Sequence, residues 1–333
     1  MFSPPPNRAI QRAFLQVRAP SAQIMLTDLT KTRLGDVQNR YFRLFVPVKR
    51  SRLRLPTSLP EFSSLRHHAT LSDSPVLAAR RLGGHWTDHN LAAICHLAAC
   101  NLRCPYCYVE YRHLSAHDSF RATASDLVAA FVKIREQREI AGERLSILRI
   151  SGGEPLLAPD FIADVYDEMA QRGLTETCLL KVESNMTAFT YALSASPAGT
   201  ADRLRAIGAR MAVHVTAHPT PDDADWPRLL AGMELALSLG LDVYPAIGGA
   251  GWSDEHLQRT YEAFAGLSAD LPLRLAVRPF NLSYEVLQTR RNLARYTVSN
   301  GVSPSMRWEA ILREMRGRRY LGGPRHEVPL RNS

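Results

Sequence analysis

Residues 91–107 read Leu91-Ala-Ala-Ile-Cys-His-Leu-Ala-Ala-Cys100-Asn-Leu-Arg-Cys104-Pro-Tyr-Cys107. Leu91 to Leu97 has the length and apolar content of a strand, and three cysteines follow at once with the spacing C-x3-C-x2-C. Downstream the same rhythm repeats. Leu145–Ile150, Cys178–Val182, Met211–Thr216, Leu241–Ile247 and Leu273–Val277 read as further strands. Between them, Thr123–Ile140, Asp160–Gly173, Ala201–Ile207, Trp226–Leu239 and Asp254–Leu267 carry apolar residues at helical spacing. Strands alternating with helices imply right-handed βαβ units and a parallel sheet, either open and doubly wound or curved into an incomplete barrel. In both cases the chemistry belongs at the carboxyl ends of the strands, where the cysteine loop already lies.

Three thiolates on one short loop can converge on one inorganic centre. On a 4Fe–4S cluster they leave one iron without a protein thiolate, open to a small chelating molecule. Two alternatives share the residues: a structural zinc site with Cys95 as fourth ligand, and a closed ferredoxin-like cluster. Cys95 falls inside the predicted strand and is expected in the core. Arg103 and Tyr106 suit a loop that holds a charged cluster beside a flat ligand ring.

The second strand ends in Ile150-Ser-Gly152-Gly153-Glu154-Pro155. Paired glycines let backbone approach a ligand, and the carboxylate after them can receive an ammonium group. One βα unit after a three-cysteine loop, this pair of motifs resembles the radical S-adenosylmethionine superfamily from about Asn90 to Asn281. The resemblance implies an α/β fold, a partial (β/α)6 TIM-like barrel with a basic N-terminal extension. It also implies that Cys100, Cys104 and Cys107 ligate a single 4Fe–4S cluster whose remaining iron takes S-adenosyl-L-methionine. Tyr106 would lie against the adenine, and Gly152, Gly153 and Glu154 would contact the methionyl ammonium. Ser184 and Asn185, in Val182-Glu-Ser-Asn-Met-Thr187, look like a Thr-Asn-Gly strand end common in relatives. Thr216 becomes a candidate for the ribose or methionyl carboxylate. Ile247-Gly248-Gly249 resembles an adenine-contacting segment, and Arg278 and Asn281 follow the sixth strand.

The implied reaction is reductive cleavage of S-adenosylmethionine and hydrogen abstraction from a small-molecule or peptide substrate, expected in specialised, natural-product metabolism. Whether the outcome is oxidation, epimerisation or a lyase step stays open. A one-electron reductant such as a flavodoxin or ferredoxin is implied as partner. Candidates for the catalytic residue that quenches or donates to the substrate radical are Cys178, Tyr108, Tyr284 and His214, with Tyr111 and Tyr244 behind them, and His214, His218 and Arg278 are candidates for binding an anionic substrate or for proton transfer. No cysteine follows Cys178, so a second cluster is not expected. The alternatives are an RNA-modifying enzyme recruited by a basic N-terminal arm and a non-catalytic zinc or Fe–S module.

Composition sets the frame around these motifs. The 333 residues are 45% hydrophobic and 22% charged, an ordinary globular balance that excludes collagen-like and wholly disordered readings. Apolar runs are strand-length, so no membrane span or secretory signal is expected and a cytoplasmic location is. The net charge of +9 resides in the first 94 residues, with 14 Lys/Arg against 5 Asp/Glu, and the remaining residues balance at 27 of each. The expected organisation is a basic, partly flexible extension over 1–89, the barrel over 90–285, and a helical extension over 286–333. Residues 1–25 read as a loose arm, Tyr41–Val48 as a strand and Lys49–Pro60 as an extended connection. The last helix is expected around Arg307–Arg319.

Overall fold

The computed structural model describes residues 6–19, 22–46, 74–248, 252–278, 284–288, 304–316, 328 and 330. Six parallel strands carry the architecture: β3 (Ala92–Leu97), β5 (Ile147–Gly152), β6 (Leu179–Ser184), β7 (Met211–Ala217), β8 (Asp242–Gly248) and β9 (Ala276–Arg278). They pair in chain order, β3-β5-β6-β7-β8-β9, as successive right-handed βα units require. Among the described strands β9 does not pair back to the other edge, so the barrel is partial. The helices between them are α3 (Ala124–Ile140), α4 (Pro159–Gln171), α5 (Phe189–Ser194), α6 (Thr200–Ile207), α7 (Trp226–Ser238), α8 (Asp254–Leu267) and the short α9 (Leu271–Arg274). Thr123 caps α3 and Ser253 caps α8, each in a reciprocal capping box with the third helical residue. Beyond the sheet come the single turn α10 (Glu285–Gln288) and the helix α11 (Pro304–Arg316). Gly249, Asn281 and residues 49–60 and 317–319 lie outside the described residues.

Alternation along each strand divides the core in two. Ala93, Cys95, Leu97, Leu148, Ile150, Leu180, Val182, Val213 and Val215 face the helices and join the main apolar core. Cys95 is fully buried there, as its place in the strand required. The opposite faces turn into the barrel. Its amino end is sealed by α2 (Ser74–Leu82), whose Leu77 and Ala78 pack against Ala92, Ile147, Leu179, Ala212 and Tyr244. Ion pairs from Arg81 and Arg274 to Asp242 fasten this plug.

The described residues of the expected N-terminal arm, 6–19 and 22–25, are not loose. Arg8–Val17 forms helix α1, capped by Asn7, with Ile10, Ala13, Phe14 and Val17 buried against the barrel. Arg18 then grips Asp160 at the start of α4 through two 2.6 Å hydrogen bonds. Two strands follow, β1 (Ile24–Thr27) and β2 (Arg43–Phe45), and both pair antiparallel with β3. A strand inside the first βα connection, β4 (Ser119–Ala122), pairs with β1 and extends this edge. The segment thus supplies strands that lengthen the sheet at the point where a full barrel would close.

Docking of α1 through its apolar face predicts that Phe14→Ala costs about 3 kcal/mol of unfolding free energy, as for a core aromatic. Chemical denaturation measures this; a change below about 0.5 kcal/mol, the range of surface substitutions, would mean the helix is not part of the fold.

Candidate active site

At the carboxyl ends of the strands an open cleft joins the cysteine loop to the exits of β5, β6 and β7. Cys100, Cys104 and Cys107 all line it, together with Gly152, Gly153 and Glu154. Tyr106, Ser184, Asn185 and Thr216 also reach it, as do Tyr108 and Tyr284. Residues separated by most of the chain are therefore brought to one space.

The cysteine loop leaves β3 through a sharp turn in which Ala99 adopts a left-handed φ of 70°, a conformation that costs an L-residue about 1 kcal/mol. Backbone bonds from Ala99 and Cys100 to the carbonyls of His113 and Leu114 close the loop. Arg103 donates to the carbonyls of Cys100, Leu102 and Leu114, so its guanidinium staples the loop. Gly152 and Gly153 hold the loop from the other side. A Cβ on Gly153 would lie 1.8 Å from the Ala99 carbonyl oxygen, and one on Gly152 would lie 2.3 Å from His96 Cβ. Their smallness lets β5 approach the end of β3, a tighter demand than the ligand approach expected from the sequence. Gly153 N–H donates to Leu97 O at 2.8 Å and Glu154 N–H to Ala99 O at 2.9 Å.

Glu154 completes the join. Its carboxylate accepts from Leu156 N at 2.9 Å, Ser184 Oγ at 2.6 Å and Asn185 N at 2.6 Å. Burial pushes its pKa up to about 7, against the pull of these three donors. Asn185 donates to Asn101 Oδ1 at 3.2 Å and lies 3.7 Å from Cys100 Sγ, which also accepts from Leu102 N. Asn101 in turn donates to Thr187 Oγ1. Asn101 is a contributor that the sequence pattern did not single out; it sits in the cysteine motif between Cys100 and Cys104.

Cys100 is thus surrounded by N–H donors aimed at sulfur, and the all-thiol donor set of the loop suits a soft iron–sulfur centre. Among the described residues no three His, Cys, Asp or Glu side chains are gathered tightly enough to hold a metal ion. The three cysteines share the cleft without their side chains being drawn into a closed ligand set. Tyr106 meets His218, with Oη 3.1 Å from Nδ1 and ring centroids 5.4 Å apart. Burial lowers the His218 pKa to about 4, so this ring offers hydrogen bonds and not the positive charge expected of an anion binder.

Below the cleft the barrel interior is charged. Arg149 and Lys181 both pair with Glu183, and Lys181 also donates to Ser74 Oγ on the plug. Ser151 Oγ donates to Glu183 Oε2 at 3.0 Å, and Tyr108 Oη lies 3.1 Å from Ser151 Oγ. Because the serine proton is committed to the carboxylate, the tyrosine hydroxyl is the donor in the second bond. The direction is therefore Tyr108 to Ser151 to Glu183. Burial alone would raise the Glu183 pKa, but Arg149, Lys181 and His214 hold it far below the usual carboxylate range.

The remaining sequence candidates scatter. Tyr284 stacks on Tyr108, with centroids 5.0 Å apart. His214 lies opposite Glu183 on β7, inside the barrel. Cys178 is buried at the foot of β6, beside Arg135, at the opposite end of the strand from Ser184. Tyr244 belongs to the plug, bonded to Asp242, and Tyr111 is exposed, its hydroxyl donating to the Cys104 carbonyl. Ile247 packs into the outer core, and neither it nor Gly248 lines the cleft. Arg149, Lys181, Ser151 and Glu183 were not singled out from the sequence, although charge at alternate positions of a buried strand was the available signal.

A family model for the radical SAM superfamily matches residues 94–264, just over half of the chain. None of the curated proteins matches it. Among the described residues no helix is long and apolar enough to cross a membrane.

The depressed pKa of Glu183 means its contribution to stability is full above about pH 4.5 and fades as pH falls below that value. Glu183→Gln, which leaves Arg149 and Lys181 facing an uncharged group, is expected to cost about 3 kcal/mol at pH 7. The gap to wild type should stay constant down to pH 5 and narrow in more acidic buffer. Denaturation curves across that range measure it, and a gap that widens on acidification would contradict the assignment.

Proposed function

Because the chain belongs to the radical SAM superfamily, we propose that its cleft serves hydrogen-atom abstraction from a small-molecule or peptide substrate, in specialised metabolism. Enzymes of this family hold a 4Fe–4S cluster and S-adenosylmethionine, which supply an oxidising deoxyadenosyl radical after one-electron cleavage of the sulfonium. Here Cys100, Cys104 and Cys107 are the residues to hold the cluster, with Asn185 and the Leu102 amide donating toward the Cys100 sulfur. Gly152, Gly153, Glu154, Ser184, Asn185 and Thr216 form the wall against which S-adenosylmethionine would lie, with Tyr106 and His218 across from them.

The observation that carries this reading is the shared cleft itself. One space is lined by the three cysteines, by the Gly-Gly-Glu strand end and by Tyr108 and Tyr284. With a substrate in place, the side chains around it would keep stray hydrogen donors from the reacting carbon. Of the four donor candidates, Tyr108 is the best placed, since its hydroxyl is oriented through Ser151 to an ionised carboxylate. His214 and Cys178 stand away from the cleft lining.

Part of the N-terminal basic charge is spent within the fold, while Arg8 and Arg12 stay exposed. Arg18, Arg33, Arg40 and Arg81 pair with carboxylates of the fold, and Arg43 is buried. A nucleic-acid surface needs such charges directed outward at phosphates. The reductant is expected to be a flavodoxin- or ferredoxin-type protein, as the family's chemistry requires.

Anaerobic reconstitution with iron and sulfide should give a brown protein that forms 5′-deoxyadenosine with dithionite and S-adenosylmethionine. Cys104→Ala should lose both properties. Cys178→Ala should keep the colour and the nucleoside while losing about 1 kcal/mol of stability, as for truncation of a small buried side chain. A colourless, zinc-loaded protein, or nucleoside formation that survives Cys104→Ala, would refute the reading. Deuterated small-molecule, peptide and RNA pools then separate the substrate classes by transfer of label to deoxyadenosine, and transfer from RNA alone would overturn the preference.

A further inference from the structure

We propose that the barrel interior behind Tyr108, closed off from the cleft while that ring is in place, binds an oxyanion of the substrate, a carboxylate or a phosphate, against Arg43 with Arg149 and His96 as accompanying donors. This rests on the reading of the cleft as a substrate site and adds the chemical class of what enters it. Arg43 pairs with Ile94 across β2 and β3, which puts its side chain on the barrel-interior face. It is 6% exposed, its Nε is buried without a hydrogen-bond partner, and it has no ion pair among the described residues. Its guanidinium carbon sits 5.8 Å from the ring centroid of Tyr108, which is part of the cleft wall.

The neighbours of Arg43 are also under-satisfied. His96, one step up the same face of β3, is 1% exposed, and both of its ring nitrogens are buried without partners. Burial, reinforced by Arg43 and Arg149, keeps this ring neutral, so it has one N–H to give. Arg149 Nε is likewise buried and unpartnered, although the rest of its guanidinium pairs with Glu183. Glu183 is shared by Arg149 and Lys181, so three cations, counting Arg43, face one carboxylate in this part of the barrel.

A buried guanidinium without a counter-charge is costly, and a chain keeps one where a ligand supplies the charge. Oriented N–H donors with unmet capacity select an oxyanion over halide or neutral groups. Tyr108 stands between Arg43 and the cleft, and it is held by one hydrogen bond and by stacking on Tyr284.

The test uses the reconstituted holoenzyme and two probes, sodium acetate and inorganic phosphate, with chloride as the control at constant ionic strength. In wild type the thermal midpoint should rise saturably, by about 3 °C or more at saturation, with at least one probe. Acetate as the effective probe assigns a carboxylate, and phosphate a phosphate. Arg43→Gln should abolish the rise while being no less stable than wild type in chloride, because it removes an unpaired charge. An absent or non-saturable rise, an equal rise in Arg43→Gln, or a folded Arg43→Gln much less stable in chloride would each overturn the proposal. If Arg43→Gln does not fold, Arg43→Lys decides: a weakened response supports the site and an unchanged one overturns it. Deoxyadenosine formation is scored separately. Its failure with an intact anion response would remove the proposed function alone, and the converse would remove the anion site alone.

Discussion

The close approach of the Gly152-Gly153 backbone to the end of β3 is the constraint on which the rest of the site depends. Two amides reach across it to Leu97 and Ala99, and no side chain larger than hydrogen fits at Gly153. That contact fixes where β3 ends and therefore where the cysteine loop begins. Glu154, placed by the same turn, carries the fixation on to Ser184 and Asn185, and Asn185 returns it to Asn101 and Cys100. Three strand ends are locked by one short sequence. If the loop presents three thiolates to one centre, as proposed, it needs such a rigid backing, because ligand geometry is intolerant of drift.

The interior of the barrel follows a different logic from its outside. Outward faces are uniformly apolar and pack under helices, whereas the inward faces change character with height. Near the amino ends Ala92, Ile147, Leu179 and Ala212 meet the plug helix, and above them come Arg149, Lys181, Glu183 and His96. Buried charge of this kind stabilises little by itself, since desolvation offsets much of the Coulomb attraction. Its value lies in orientation: the fixed carboxylate of Glu183 sets the direction of the Ser151 and Tyr108 hydroxyls at the cleft wall.

Much of this was legible in the sequence because the relevant signals are local. The period-two and helical patterns located five of the six parallel strands and their main helices, whereas the sixth, read at Leu273–Val277, overlaps β9 only at Ala276 and Val277 because Leu271–Arg274 closes a helical turn. The cysteine spacing and the Gly-Gly-Glu turn located the cleft, and both positions are set by neighbouring residues along the chain. What escaped depends on partners distant in sequence. Arg8–Val17 has the spacing of an amphipathic helix, yet its helical identity is secured by docking and by Arg18 meeting Asp160. The short strands β1, β2 and β4 are too brief to show a period and exist because β3 offers them an edge. Arg103 folds back onto the loop's own carbonyls, a contact that its place in the sequence does not show. Arg43 gave no local sign at all, because only pairing with Ile94 turns it inward.

Amide hydrogen exchange at Gly153 and Glu154 tests the central claim most directly. If the strand-end contact is the anchor of the site, both amides exchange only with global unfolding, at the rate of core amides in β5 such as Leu148. Exchange as fast as that of exposed turn amides such as Gly142, while Leu148 stays protected, would show that the contact opens on its own and that the cysteine loop is held by something else.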